Sequence, residues 1–199
     1  MVDLGRNGPA QNWEQKWSSP TFSPWWSAEG LPLEFVEMLN SSGVERGARV
    51  LDIGCGSGLM TCALAERFET VIGVDIAPSA IKLAKHNARQ RRCQAAFDVW
   101  DVCNGSWPWG AFDVALDRGC FHILPVDQRA QYINNLASQL VPGGHFLLMH
   151  RTNGPEEQLL EELHLYLHPS FVVQERRLGR VSRKQGDQIV AHFLFALKG

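Results

Sequence analysis

From Arg49 onward, short apolar runs of strand character alternate with stretches whose apolar residues recur three and four apart. Arg49–Ile53 (RVLDI), Thr70–Val74 (TVIGV), Gln94–Val99, Phe112–Leu116 (FDVAL) and His145–Met149 read as strands. Leu59–Phe68, the stretch opening at Pro78, Val126–Leu140 and Glu156–Leu167 read as helices. Pro78 suits a first helical position, where its missing N–H would have no intrahelical partner, and Pro142-Gly143-Gly144 supplies a helix stop. Alternation at this pitch builds βαβ units, hence a parallel sheet with helices on both faces. The last two strand-like runs, Phe171–Arg176 and Ile189–Leu197, are joined by the polar stretch Leu178–Gln188, with no helical pattern between them. A hairpin-like return is the simplest connection, and it turns the last strand against the others. The expected fold is a doubly wound α/β domain whose mostly parallel seven-stranded sheet ends in an antiparallel strand.

Composition agrees with one globular domain. The chain has 199 residues, 45% apolar and 20% charged, enough to bury a core and too apolar for disorder. A net charge of −2 and a pI near 6.4 give no bulk basic field, so neither nucleic acid nor an anionic membrane is an expected partner. No apolar run approaches membrane-span length, and Met1–Gly8 is polar rather than signal-like. Five cysteines, an odd number without a CxxC pair, fit neither a disulfide framework nor a four-thiolate zinc site. Free thiols in a reducing cytoplasm are the expectation.

The chemistry is concentrated in Val50-Leu51-Asp52-Ile53-Gly54-Cys55-Gly56-Ser57-Gly58. Three glycines follow a buried strand and precede a helix, so a ligand can approach bare backbone beside free helix N–H groups. This is the crevice where doubly wound sheets bind ligands. A dinucleotide fold needs GxGxxG, and the third member fails here, because Leu59 stands where Gly or Ala is required. GxGxG with Asp52 just ahead suits a ligand without phosphates, such as S-adenosylmethionine (SAM). The Asp52 carboxylate would attract the amino group of that ligand and repel a pyrophosphate. Asp75 ends the next strand and can accept from both ribose hydroxyls. Asp101 follows the third strand and can accept from an adenine amino group, with Asp98 as the competitor if the register shifts. Cys55 in the turn, and Ile76 and Val102 beside the second and third acids, complete the expected cofactor-binding set with Gly54 and Gly56.

VLDIGCGSG followed by VIGVDIAPSAI resembles the class I (Rossmann-like) SAM-dependent methyltransferases, over roughly residues 45–199. The resemblance implies the seven-stranded sheet with its antiparallel last strand, SAM as cofactor and S-adenosylhomocysteine (SAH) as product. Trp13-x3-Trp17 followed by Pro24-Trp25 resembles the N-terminal segment of the thiopurine, halide/thiol and tellurite-resistance methyltransferases. Asp117-Arg118-Gly119-Cys120-Phe121-His122 resembles that group's segment after the fourth strand. The turn LDIGCGSG is of the general methyltransferase type, so the likeness reaches the broad group and not thiopurine as substrate.

Residues 1–30 are then a lid over the cofactor, carried by Trp13, Trp17 and Trp25, and residues 31–199 the methyltransferase domain. Indole faces attract a sulfonium and exclude water; packing against the sheet edge is the competing role. Arg118 can hold the SAM carboxylate or an anionic nucleophile, or pair with Asp117. His122 is the candidate base. No base dyad stands out, which favours a soft acceptor such as a thiol, thiopurine, halide or chalcogen oxyanion. Methylation at N, O or carboxyl of a metabolite or macromolecule is the alternative. A SAM sensor or inactive partner subunit is the non-enzyme reading, and an NAD-dependent reductase comes last. His164 and His168 have metal spacing but neither the HExxH glutamate nor a third ligand, so no metal is expected. The basic run Arg176–Lys184 is read as a solvated hairpin, or as a surface for an anionic substrate or RNA.

Overall fold

A computed structural model describes residues 9–24, 30–104, 107, 109–151, 156–182 and 188–199. Seven strands form one sheet: β1 (Arg49–Ile53), β2 (Thr70–Asp75), β3 (Ala96–Val99), β4 (Phe112–Asp117), β5 (Leu140–His150), β6 (Phe171–Ser182) and β7 (Gln188–Lys198). Their order across the sheet is β3-β2-β1-β4-β5-β7-β6. β3, β2, β1, β4 and β5 run parallel, and β7 lies antiparallel between β5 and β6. The reversal of strand order beside β1 creates a crevice at the carboxyl ends of β1 and β4, as doubly wound sheets do.

The helices are α1 (Pro9–Ser18), α2 (Leu33–Ser41), α3 (Leu59–Ala65), α4 (Pro78–Arg91), α5 (Val126–Gln139) and α6 (Glu156–Leu167). Side chains alternate across each strand and divide the core in two. Leu51, Ile53, Ile72, Val74, Phe146 and Leu148 pack with Tyr132, Ile133 and Leu136 of α5 and with Leu163 and Leu167 of α6. Val50, Val71, Val114, Leu116, Leu147 and Phe193 pack on the other face with Phe35 and Met38 of α2 and Leu64 of α3. α4 joins that layer through Ile81, Ala84 and Ala88, against Cys62 and Phe97.

Pro78 opens α4 as expected, and Arg92 closes it in the left-handed conformation. Three departures from the sequence reading exceed two residues. α3 ends at Ala65, short of Phe68, which turns into the core beside Leu64. α5 ends at Gln139; Leu140 is already extended and pairs with Phe112, so Pro142–Gly144 lie within β5 at a register shift rather than in a helix stop. The hairpin is longer than expected, with the ladder reaching Ser182 opposite Gln188. β6 is an edge strand, and an edge tolerates the charged residues that made Leu178–Ser182 look like a connection. Part of the basic run is therefore strand, with Arg177 paired to Glu175 and Glu37.

Candidate functional site

The carboxyl ends of β3, β2, β1, β4 and β5 open into a cavity of about 530 Å³, covered on one side by α1. Asp52 sits one residue before the end of β1 and is fully buried. Its Oδ2 accepts from the Thr61 hydroxyl at 2.6 Å, and its buried Oδ1 has no partner among the described residues. Burial pushes the Asp52 carboxyl up to about 7, against the Thr61 hydrogen bond and the nearby Arg118 charge.

Asp75 ends β2. Its Oδ2 accepts from the Gly56 amide at 3.0 Å and its Oδ1 from the Ala77 amide at 2.9 Å. Burial raises its carboxyl above the usual range, and these amide bonds oppose the rise. One carboxylate thus ties the glycine turn to the second strand and keeps lone pairs for a ligand. The Cys55 amide donates to the Val74 carbonyl at 2.9 Å, a second tie. Gly56 has φ +53, and a Cβ there would stand 2.9 Å from the Trp17 ring. Gly58 has φ +75, and a Cβ would meet Ala84 and Phe97, each at 2.8 Å.

Asp101 borders the cavity with Ile76 and Val102. It holds its own loop, accepting from the Cys103 backbone amide at 2.9 Å and from the Asn104 side-chain Nδ2 at 2.8 Å. Asp98 stays in β3 opposite Val74 and does not line the cavity, whereas Asp101 does.

Trp13 and Trp17 both border the cavity. Trp25 lies outside the described residues. α1 is docked by Glu14, whose carboxylate accepts from the Ser79 amide at 2.9 Å and the Ser79 hydroxyl at 2.5 Å. A carboxylate from one helix therefore serves the N-terminus of α4, which has no side-chain cap of its own.

Arg118 borders the cavity beyond β4. Burial lowers its pKa, with the Asp52 charge opposing. It does not pair with Asp117, which is satisfied by the amides of Gly119, Cys120 and Phe121 at 2.7, 2.7 and 2.8 Å and by the Tyr132 hydroxyl at 2.6 Å. These bonds hold the turn that brings His122 to the cavity. The His122 Nε2 accepts from Arg151 Nε at 3.1 Å and lies 2.9 Å from Arg151 Nη2. Burial and the Arg151 cation push His122 down to about 4. The lone pair a base would use is engaged, so the geometry speaks against the proton-acceptor role expected of His122.

Arg151 and Glu14 escaped the sequence reading. Arg151 follows β5 directly, and the rule that singled out Asp75 and Arg118 at strand ends would have reached it had β5 been read to His150. No local signal marks Glu14. The thiols of Cys55, Cys103 and Cys120 are all raised by burial, Cys103 to about 11, which makes them poor nucleophiles. Among the described residues, no group of three or more His, Cys, Asp or Glu is placed to hold a metal, and no helix is long and apolar enough to cross a membrane.

Residues 50–144 match a family model described as a methyltransferase domain. A SAM-dependent methyltransferase from Anabaena variabilis superposes with a TM-score of 0.79 over 97% of this chain and 96% of its own, at 21% identity. The fold is that of the class I SAM-dependent methyltransferases. The N-methyltransferase NodS from Bradyrhizobium japonicum, solved with SAH, superposes at 0.70 over 95% and 97% of the two chains, at 20% identity. Among curated proteins, the 2-heptyl-1-hydroxyquinolin-4(1H)-one methyltransferase of Mycobacteroides abscessus is 36% identical over 127 residues, 63% of this chain and 55% of that relative. The chain spans about half the length of that methyltransferase.

The residues at the cavity fit SAM. A buried carboxylate oxygen without a partner stands near the Arg118 charge, complementary to the two ends of an α-amino acid. Asp75 stands at the end of β2, where a ribose acceptor belongs in this fold.

Proposed function

We propose that this chain transfers a methyl group from SAM to a small-molecule acceptor, and that the acceptor atom is a soft nucleophile. The observation that carries the reading is the cavity over β1 and β2, where Asp75 is locked to the glycine turn and Asp52 keeps an unpartnered oxygen. SAM supplies, when bound, an electrophilic methyl on a sulfonium that leaves as a neutral thioether. Asp75 accepts from the ribose hydroxyls, and Asp52 Oδ1 accepts from the amino group. Arg118 holds the carboxylate, and Asp101 with Val102 faces the adenine edge. Cys55 and Ile76 flank the nucleoside, with Gly54 and Gly56 giving it bare backbone. Trp13 and Trp17 cover the site and exclude water, with α1 acting as its lid. Positioning and desolvation then do most of the catalysis.

The soft acceptor follows from what the site offers as a base. His122 is engaged by Arg151, and the thiols beside the cavity are held protonated by burial. An acceptor that ionises readily needs none of them. The Trp13-x3-Trp17 and Asp117–His122 segments lean the same way through their likeness to the thiol and tellurite-resistance group. Methylation at oxygen is the second reading, favoured by the 36% identity to a methyltransferase whose named substrate carries a hydroxyl.

Calorimetric titration with SAM and SAH tests the first step; heat from both is expected, and none from folded protein refutes it. Release of SAH across thiol, phenol and amine acceptors separates the readings. Tight cofactor binding with no turnover on any acceptor would instead mark a sensor or inactive subunit.

A further inference from the structure

We propose that Cys62 and Cys93 form a modification site, a pair of thiols that exchanges with small-molecule disulfides and closes into a reversible bond between α3 and the end of α4. Neither residue lines the cavity, so the site goes beyond the methyltransferase reading and stands without it.

The fold brings the two sulfurs together from 31 positions apart. Cys62 lies in the middle of α3, buried against Ile81, Ala84 and Ala88 of α4. Arg92 closes α4 in the left-handed conformation, with φ 56, and this turns the chain back over the last helical turn. The Cys93 amide then donates to the Ala88 carbonyl at 2.9 Å. Cys93 is thereby laid, half-buried, on the cluster that holds Cys62. The Ala95 amide donates to the Cys93 Sγ at 3.5 Å, and the Cys62 thiol meets Cys93 as its hydrogen-bond partner. Cys93 stands beyond the helix end, where the chain can adjust to the narrow geometry of a disulfide while Cys62 stays in α3. Cys55 belongs to the same cluster, but it lines the cavity and its thiol feels Asp52, Asp75 and Thr61 instead.

Exposure divides the roles. Solvent reaches Cys93, whereas Cys62 is buried. Burial pushes the Cys62 thiol up to about 12, the Cys93 thiol adds to the rise, and the Arg91 charge opposes it. A thiol held protonated is a poor attacker of an external disulfide, so Cys93 attacks first and Cys62 resolves. With its sulfur bonded, Cys93 no longer places a charge against the Cys62 thiolate. Adjacency then makes up for the scarcity of that thiolate.

The step balances. Cys93 gives its proton to water, and its sulfur attacks one sulfur of the small disulfide. That S–S bond breaks, and its pair leaves on a small thiolate, which takes up a proton. Cys62 then loses its proton and attacks the Cys93 sulfur, and a second small thiolate departs and is protonated. Two protein thiols are oxidised to one disulfide, and one small disulfide is reduced to two thiols.

The test uses the full chain, first reduced and freed of reductant, then equilibrated with mixtures of oxidised and reduced glutathione. Remaining thiols are blocked with N-ethylmaleimide, and the protein is mapped by peptide mass spectrometry. We expect wild-type protein to lose the mass of two hydrogens, to yield one linked peptide pair carrying Cys62 and Cys93, and to recover both thiols in dithiothreitol. The linked share should rise with the share of oxidised glutathione. Cys93→Ser should lose the linkage. Cys62→Ala should instead accumulate a glutathione adduct at Cys93, because the resolving thiol is gone. The proposal is overturned if folded wild-type protein stays fully reduced, if it stops at the Cys93 adduct, if dithiothreitol fails to restore the thiols, or if the linked peptides carry Cys55, Cys103 or Cys120. The wild-type map decides by itself, whether or not Cys62→Ala folds.

Discussion

Asp52, proposed to meet the amino group of SAM, also bears on stability. Its carboxyl is raised from 3.8 to about 7 when folded, so the native state holds this proton more tightly than the unfolded chain does. Its contribution to stability is therefore greatest below the lower value and falls as pH rises toward the upper one. Asp52→Asn should flatten that part of the profile, read as the thermal midpoint at successive pH values through the range. Because an ammonium favours the ionised form, SAH should bind the wild type more tightly as pH rises through about 7, and Asp52→Asn should remove that dependence. Gly58 is a second residue-scale constraint. A methyl group there meets Ala84 and Phe97 at a positive φ, so Gly58→Ala should lose about 1–3 kcal/mol in urea unfolding. Both positions stood out in the sequence, because a glycine forced by backbone geometry and an acid at a strand end carry their reasons locally. His122 was legible as a residue near the site. Its state was not, because that state is set by burial and by Arg151, 29 residues away.

At the scale of elements, a carboxylate of α1 ties that helix to the first turn of α4. Glu14→Ala should loosen it by about 0.5–2 kcal/mol, in line with loss of a helix cap. Limited proteolysis should then cut within α1 faster while the sheet domain resists, and tryptophan emission should shift to the red as Trp13 and Trp17 meet water. The turn after β4 is attached in the same manner, by Asp117 accepting from three amides and a tyrosine. Tyr132→Phe removes the hydroxyl donor to a buried carboxylate and should lower stability by about 1–3 kcal/mol, measured by urea unfolding. The periodicities placed β1, β2, α4 and β4 closely, because a two-residue or 3.6-residue repeat follows from burying one face. They failed where burial was one-sided or absent. β6 is an edge strand rich in arginine, so its last residues looked like loop, and β5 begins with Leu140 and Pro142-Gly143-Gly144, which read as the end of a helix.

For the whole molecule, the cofactor should act as a stabiliser, because the cavity proposed for it is lined from the ends of several strands and from α1 at once. Saturation at about a hundred times the dissociation constant adds about 2.7 kcal/mol. For a chain of 199 residues this raises the thermal midpoint by roughly 5–10 °C, readable by differential scanning fluorimetry with SAH. The amino-acid sequence by itself determined the alternating layers, the reversal at the last strand, the glycine turn and the three strand-end acids. Each of those is enforced within a few residues, by backbone conformation or by the period of burial. Only the tertiary structure decided that Glu14 would reach Ser79 across 65 positions, and that Arg151 would lock His122. Those partners meet because the sheet sets β5 beside β4 and lays α1 over α4, and no repeat along the chain encodes which strand ends become neighbours.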